Sequence, residues 1–186
     1  MRVTVLVGNP RPASRTREVA EAAVRHLLAD APTEPSLSVV ELCEHASVLF
    51  DPASEPLPTL RRTVAESELL VVASPTYKAT YTGLLKAFFD GYPGNGLAGV
   101  PAIPVMTGAD TGHALGAETG LRPLLVELGA TVPTRALYFV TSRMDELDEL
   151  VGAWASEQLL GLRRLAPLLD AVGRPAAADA ADGGPR

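Results

Sequence analysis

Hydrophobic positions along the chain fall into short unbroken runs separated by stretches of helical spacing. Val3 to Val7 is apolar and β-branched and is stopped by Gly8-Asn9-Pro10, the pattern of a buried strand feeding a loop. From about Arg15 to Ala29, residues Val19, Ala22, Ala23, Leu27 and Leu28 form one apolar stripe behind Ser14 or Thr16 as N-cap. Leu37 to Leu42 predicts a second strand, with Cys43 at its end packing as a small hydrophobe. Glu44 to Pro58 carries three prolines and no period, and reads as loop. Leu60 to Ser67 predicts a short helix with Arg61 and Arg62 outward. A third strand, Glu68 to Ala73, stops at Ser74-Pro75. Thr82 to Tyr92 predicts a helix ended by Pro93-Gly94-Asn95-Gly96. Val100 to Met106 is a fourth strand, in which Pro101 and Pro104 require the strand's start and a bulge or open edge. Gly112 to Leu128 predicts a helix bent or divided at Pro123, with Gly129 as its C′ residue. Thr131 to Val140 completes the strands, and Asp145 to Val172 is a long final helix.

Five apolar strands alternating with helices imply a parallel sheet covered on both faces. The expected architecture is α/β, a flavodoxin-like three-layer sandwich with strand order 2-1-3-4-5, spanning residues 1–172. Residues 173–186, rich in Pro, Ala, Asp and Gly and without an aromatic, read as a disordered tail. In such sheets ligands bind beyond the carboxyl ends of the strands, where the order reverses. That brings three loops together: Gly8 to Thr16, Ser74 to Tyr81 and Thr107 to His113.

Composition narrows the function classes. The 186 residues carry a net charge of −6 and 47% hydrophobic residues, enough for a full core. An acidic chain without clustered Lys and Arg argues against nucleic-acid and anionic-membrane partners. No run approaches the roughly 18 apolar residues of a spanning helix, and the N-terminus lacks the pattern of a signal peptide. One cysteine, Cys43, rules out an internal disulfide and fits a reducing cytoplasm. No metal-ligand spacing stands out.

Each loop carries chemistry. The first, Gly8-Asn9-Pro10-Arg11-Pro12-Ala13-Ser14-Arg15-Thr16, joins a strand to a helix N-terminus, whose amides and dipole favour an anion. Ser14 and Thr16 add hydroxyls while Arg11 and Arg15 add charge, a set suited to a phosphate monoester; an ordinary Ser-capped helix fits the same residues. The glycines of a dinucleotide fingerprint and the lysine of a Walker loop are missing. In the second loop, Pro75, Thr76, Tyr77 and Lys78 offer amides, an aromatic wall for a flat ligand and a cation, whereas Tyr81 reads as packing. In the third, Thr107, Gly108, Ala109, Asp110 and Thr111 let backbone approach the polar rim of a heterocycle. His113 reads either as a ligand contact or as a surface residue at a helix start.

Together these loops resemble the NADPH-dependent FMN reductase family. The strongest match is Ser74-Pro75-Thr76-Tyr77-Lys78-Ala79-Thr80-Tyr81-Thr82-Gly83-Leu84-Leu85-Lys86-Ala87-Phe88-Phe89-Asp90, which looks like that family's Pro-x-Tyr…Tyr-(Ser/Thr)-Gly-x-Leu-Lys-x-x-x-Asp segment. The Tyr-Lys-Ala spelling, the Gly-x-Pro-Arg-x-x-Ser-Arg-Thr opening and the run from Thr107 to Leu125 are similar to the alkanesulfonate-monooxygenase-type reductases. The resemblance implies FMN with NADPH or NADH, and a phosphate held by Arg11, Ser14, Arg15 and Thr16. Pro75 to Lys78 would lie along the ring and ribityl chain, and Thr107 to Thr111 along the pyrimidine edge. Gly83, Lys86 and Asp90 would be structural, on a helix that tends to form a dimer or tetramer interface; Phe88, Phe89 and Tyr92 give it an apolar face suited to an interface or, more simply for some of them, to the chain's own core.

Hydride transfer from a nicotinamide to flavin N5 needs stacking and charge stabilisation rather than a protein acid or base, so no catalytic residue is assigned. The amides of the third loop are the expected donors near flavin N1. One departure is informative: Gly116 to Leu121 lacks the tyrosine that the sulfonate-type reductases insert there, which leaves open whether flavin exchanges or stays bound. Reduced flavin would pass to a monooxygenase or another acceptor. The alternatives are a quinone- or azo-type reductase with tightly bound FMN, a flavodoxin-like electron carrier, or a non-flavin protein on the same fold.

Overall fold

The computed structural model describes residues 1–51 and 54–172. Five strands, β1 (Arg2–Val7), β2 (Ser36–Glu41), β3 (Leu69–Pro75), β4 (Ala102–Gly108) and β5 (Leu137–Val140), form one sheet in the order β2-β1-β3-β4-β5. All four neighbouring pairs are parallel, as the alternation of strand and helix predicts. The helices are α1 (Arg15–Leu27), α2 (Pro56–Ala65), α3 (Gly83–Phe89), α4 (Arg122–Glu127) and α5 (Leu147–Val172). The tail read at 173–186 lies outside the described residues.

The period of two along each strand divides the core into two layers. Val3, Val5 and Val7 of β1, Val71 of β3 and Val105 of β4 pack with Val19, Ala23 and Val24 of α1 and Val151 and Ala155 of α5. Leu6, Leu70, Val72 and Met106 face the opposite side, against Val64 of α2, Leu85 and Phe88 of α3, and Leu125 of α4. Both sheet faces are therefore covered, which is why the strand sequences read as continuous apolar runs rather than alternating ones.

Several boundaries differ from the sequence expectation. The presumed loop from Glu44 to Pro58 contains a 3₁₀ helix (Leu42–Val48), and α2 starts at Pro56. Pro56 and Pro58 fall in its first turns, where the missing N–H breaks no intrahelical bond. Cys43 is partly buried, and its thiol is pushed up by burial first and by Glu41 and Glu44 after that. Arg61 does not point outward: its Nε donates to the Phe88 carbonyl at 3.3 Å and its guanidinium lies over the Phe88 ring. The fifth strand is only four residues long, because Val132 to Ala136 leave the ladder after an isolated bridge between Pro101 and Thr131.

That departure explains how Pro104 survives inside an interior strand. The Ala102 amide bonds the Thr131 carbonyl, so the Pro104 nitrogen, two residues on, faces the same side. The β4–β5 ladder begins only at Val105. Pro104 thus meets the gap, the open edge that its ring requires. The helix expected over 112–128 is shorter and irregular: a π turn over Ala117–Leu121 precedes α4, Pro123 lies in the first turn of α4, and Gly129 terminates it at φ 85°.

α5 packs along α1, and the two are joined at the surface through Asp148. Its Oδ1 accepts from Arg25 Nη2 at 2.6 Å and lies 3.1 Å from His26 Nε2. The Arg25 hydrogen bond, with that of His26, holds the Asp148 carboxyl below its ordinary value. A depressed carboxyl contributes stability above its unfolded pKa and loses it as pH falls through the folded one. The expected outcome is that D148N melts slightly below the wild type at pH 7 and level with it well below about pH 3.9. A gap in thermal midpoint that persists unchanged in acid refutes the charge-based account.

Candidate functional site

The strand order reverses between β1 and β3, and a cavity of about 500 Å³ opens at their carboxyl ends. Its walls come from the three loops that follow β1, β3 and β4 and from Thr141, just beyond β5. The volume lies in the usual range for small-molecule sites.

The loop after β1 supplies the polar wall. Arg11, Ser14, Arg15 and Thr16 all line the cavity. Ser14 caps α1, its Oγ accepting weakly from the Arg17 amide at 3.4 Å, so its hydroxyl proton is left to donate. The amides of Arg15 and Thr16, in the first turn of α1, have no intrahelical acceptor. Arg11 and Arg15 are exposed, and their guanidinium groups have no hydrogen-bond or carboxylate partner among the described residues. Arg17 differs: its Nε bonds Glu21 at 2.9 Å and its Nη1 bonds Glu41 at 2.8 Å.

Thr16 is 1% exposed and sits at the floor rather than the rim. Its Oγ1 accepts from Asn9 Nδ2 at 3.0 Å and lies 2.8 Å from Thr107 Oγ1. The two hydroxyls share one bond between them and hold two protons, so one proton remains for a further acceptor. Asn9 also accepts from the Arg11 amide at 2.9 Å, which closes the loop into an Asx turn. Asn9, Pro12, Ala13 and Thr141 line the cavity and were missed by the sequence reading. Asn9 was legible, since Gly8-Asn9-Pro10 is a turn signal and an Asn side chain bonds the amide two residues on; nothing in the sequence around Thr141 marks it.

After β3, Pro75, Thr76 and Tyr77 line the cavity, and the Thr76 amide is pinned to the Thr107 carbonyl at 2.7 Å. The Thr76 hydroxyl is buried and has no hydrogen-bond partner among the described residues. Lys78 is placed elsewhere. Tyr77 and Thr80 exchange backbone bonds of 2.8 and 3.3 Å, and Lys78 (φ 52°) and Ala79 (φ 71°) form the tip of that tight turn. Two successive left-handed residues turn the Lys78 side chain out to solvent, off the cavity wall. Tyr81 packs against the core, as expected from the sequence.

After β4, Thr107, Gly108 and Ala109 reach the cavity, whereas Asp110, Thr111 and His113 do not. The reason is the late helix start. The chain from 109 to 116 folds as turns, with Ala114 bonded back to Thr111 and Gly116 to His113, and carries these side chains outward. The Asp110 carboxylate accepts from the Gly112 amide at 2.8 Å, and its carbonyl accepts from the Tyr138 hydroxyl at 2.8 Å. His113 is exposed and does not stand at a helix N-terminus. Two further arginines outside the cavity, Arg122 and Arg143, are engaged within the chain. Arg122 holds Glu118 and the Val132 and Thr134 carbonyls, while Arg143 is paired with Glu146.

The helix α3 that follows the second loop buries Phe88 and Phe89 at 0% and 1% exposure within this chain's own core. With Tyr92 they form an aromatic trio, two pairs edge-on and Phe89–Tyr92 tilted, so the core reading accounts for Phe88 and Phe89. Among the described residues no helix is long and apolar enough to cross a membrane, and no cluster of three His, Cys, Asp or Glu is placed to hold a metal ion.

Comparison with known proteins gives consistent matches. Residues 1–144 match the family described as NADPH-dependent FMN reductase. The chain is 34% identical over 150 residues to the NADH-dependent FMN reductase SfnF of Pseudomonas putida, covering 78% of this chain and 81% of that protein. It is 33% identical to the FMN reductase (NADPH) of Escherichia coli K12, over 70% of this chain and 68% of the relative. Among solved structures, the apo form of an NADH:FMN oxidoreductase, EMOB, superposes with a TM-score of 0.74 at 29% identity, over 86% of this chain and 88% of that one.

Proposed function

This chain belongs to the NADPH-dependent FMN reductase family, and on that premise we propose that the crevice beside α1 binds FMN and receives a nicotinamide cofactor against it. The observation that supports the placement is the pair of uncommitted guanidinium groups, Arg11 and Arg15, beside the Ser14 hydroxyl and the first-turn amides of α1. In an acidic chain whose other site arginine is neutralised by two glutamates, this is a set of donors prepared for a phosphate. The orphaned Thr76 hydroxyl and the spare proton of the Thr16–Thr107 pair fit a ligand rich in acceptors further along the same wall.

When bound, FMN supplies the hydride-accepting ring. The protein's residues bind and orient it. Arg11, Ser14, Arg15 and the α1 amides hold the phosphate end, while Thr76, Thr107 and the spare floor proton engage the chain and ring edge. Tyr77, half exposed beside the cavity, flanks the flat part of the site. Gly108, at the cavity, has to be glycine for another reason: a Cβ there would run into the Tyr138 hydroxyl. No side chain is required to move a proton.

In this reading residues 1–172 form one flavin-binding domain acting in the cytoplasm, and the reduced flavin passes to a monooxygenase or another acceptor. The protein assembles as a homodimer or homotetramer, which light scattering on the full chain measures. The exposed Leu115 and Val126, flanking the π turn, are the apolar surface such an assembly would cover.

The test is a visible spectrum of the purified protein followed by steady-state oxidation of NADPH or NADH with added FMN and no partner protein. The expected result is turnover saturable in FMN, with about one flavin per chain if FMN is resident and a nearly colourless protein if it exchanges. No turnover with either nicotinamide points to the electron-carrier reading. Failure to bind FMN at micromolar concentration points to a non-flavin protein.

A further inference from the structure

The residue that shapes the anion-binding loop is not in the loop. Glu41 is the last residue of β2, in register with Val7, which places it beside the point where the chain leaves β1. It is only 5% exposed. A buried carboxylate is costly unless both oxygens are satisfied, and here each has one partner. Oε1 accepts from the Ala13 amide at 2.9 Å, and Oε2 accepts from Arg17 Nη1 at 2.8 Å. The first bond crosses 28 residues to reach the loop, and the second reaches the first turns of α1.

Ala13 is held at φ 47°, a left-handed conformation disfavoured for a residue bearing a Cβ. Something must hold it there, and the bond to Glu41 is the only hydrogen bond its amide makes among the described residues. With the Ala13 amide turned inward, the chain reverses just ahead of Ser14, Arg15 and Thr16, all of which line the cavity. Arg17 neutralises the carboxylate that would otherwise repel an anion a few residues away. This leaves the charges of Arg11 and Arg15 uncancelled.

We infer that Glu41 is a positioning residue that preorganises the phosphate loop, through Ala13 for its shape and through Arg17 for its charge balance. The inference rests on the flavin-phosphate reading of the crevice. Its consequence is specificity: Glu41 governs how strongly the protein prefers a phosphorylated flavin over the same ring without phosphate.

The experiment measures dissociation constants for FMN and riboflavin, by fluorescence titration, in the wild type, E41Q, E41A and the double variant A13G/E41A. Glutamine keeps a carbonyl acceptor for the Ala13 amide, whereas alanine removes it. The preference for FMN is expected to fall at least tenfold in E41A and to stay within about threefold of wild type in E41Q. Glycine relieves the left-handed cost, so A13G/E41A is expected to recover part of the preference, a rescue that a merely stabilising role for Glu41 would not give. An E41A protein that keeps the wild-type preference overturns the inference, as does an E41Q protein as impaired as E41A. Should E41A fail to melt cooperatively, the comparison of E41Q with A13G/E41A decides in the same way. A wild type that binds FMN and riboflavin equally removes the phosphate site itself, whereas a discriminating wild type beside a discriminating E41A removes only the role of Glu41.

Discussion

Replacing Ser14 and Arg15 together by alanine is expected to raise the dissociation constant for FMN about 100-fold and that for riboflavin by less than about threefold. The magnitude follows from two charge-assisted contacts of about 1–3 kcal/mol each, with each 1.4 kcal/mol worth a factor of ten. Both residues line the cavity, and the Arg15 guanidinium has no competing partner among the described residues, so its charge is fully available to a phosphate. Ser14 has a second role as N-cap of α1, and its loss there costs about 0.5–2 kcal/mol of helix stability. The riboflavin arm separates the two roles, because fraying of α1 would weaken both ligands whereas loss of phosphate contacts weakens one. Equal losses for FMN and riboflavin refute the phosphate assignment.

Gly8→Ala is expected to destabilise the fold by about 1–3 kcal/mol through overpacking, and to lower the thermal midpoint by about 2–4 °C for each kcal/mol. A Cβ at Gly8 would stand 2.7 Å from Leu85 Cβ and 3.2 Å from its Cδ1, and Leu85 is fully buried. Neither partner can give way easily. The Gly8 amide donates to the Ala73 carbonyl at 2.7 Å, and the Gly8 carbonyl accepts from the Thr82 hydroxyl at 2.6 Å. Thr82 is itself the N-cap of α3, so Gly8 is tied to both the sheet and the helix it would push away. L85A alone opens a cavity at a cost of about 2–5 kcal/mol, and it removes the contacts to Cγ and Cδ1 while the one to the Leu85 Cβ remains. Gly8→Ala should therefore cost less in the L85A background than in the wild type. Additive losses in the two backgrounds, read from chemical denaturation, contradict this account.

Much of the architecture was legible because burial on both faces of a parallel sheet leaves a plain trace. Val3 to Val7 and Leu69 to Ala73 are unbroken apolar runs, and each is followed by a loop and a helix with a polar cap. Order 2-1-3-4-5 followed from size and alternation, and it put the right three loops at one crevice. Boundaries were less legible where a residue's usual meaning was reversed by its position. The prolines of 44–58 read as breakers although two of them start α2, and Val132 to Ala136 read as strand although they leave the ladder opposite Pro104.

For the site, residues adjacent in sequence to a strand end were found, and those placed by turns or by other strands were not. Arg11, Ser14, Arg15, Thr16, Pro75, Thr76, Tyr77, Thr107, Gly108 and Ala109 all line the cavity. Lys78 is carried away by two left-handed residues that bear no glycine to announce them, and Asp110, Thr111 and His113 by a helix that starts late. Local pattern alone thus determined the layered fold, the strand order and the polar loop behind Ser14, because these depend on short-range periodicity and on the chemistry of neighbouring residues. Only the tertiary structure decided that Thr141 lines that crevice and that Glu41 bonds the loop beside it, and that the charges of Arg11 and Arg15 stay unpaired among the described residues while those of Arg17, Arg122 and Arg143 are paired with carboxylates. Parallel register is what brings together groups far apart in the chain, and the partner a side chain finds across that register determines whether its charge remains available.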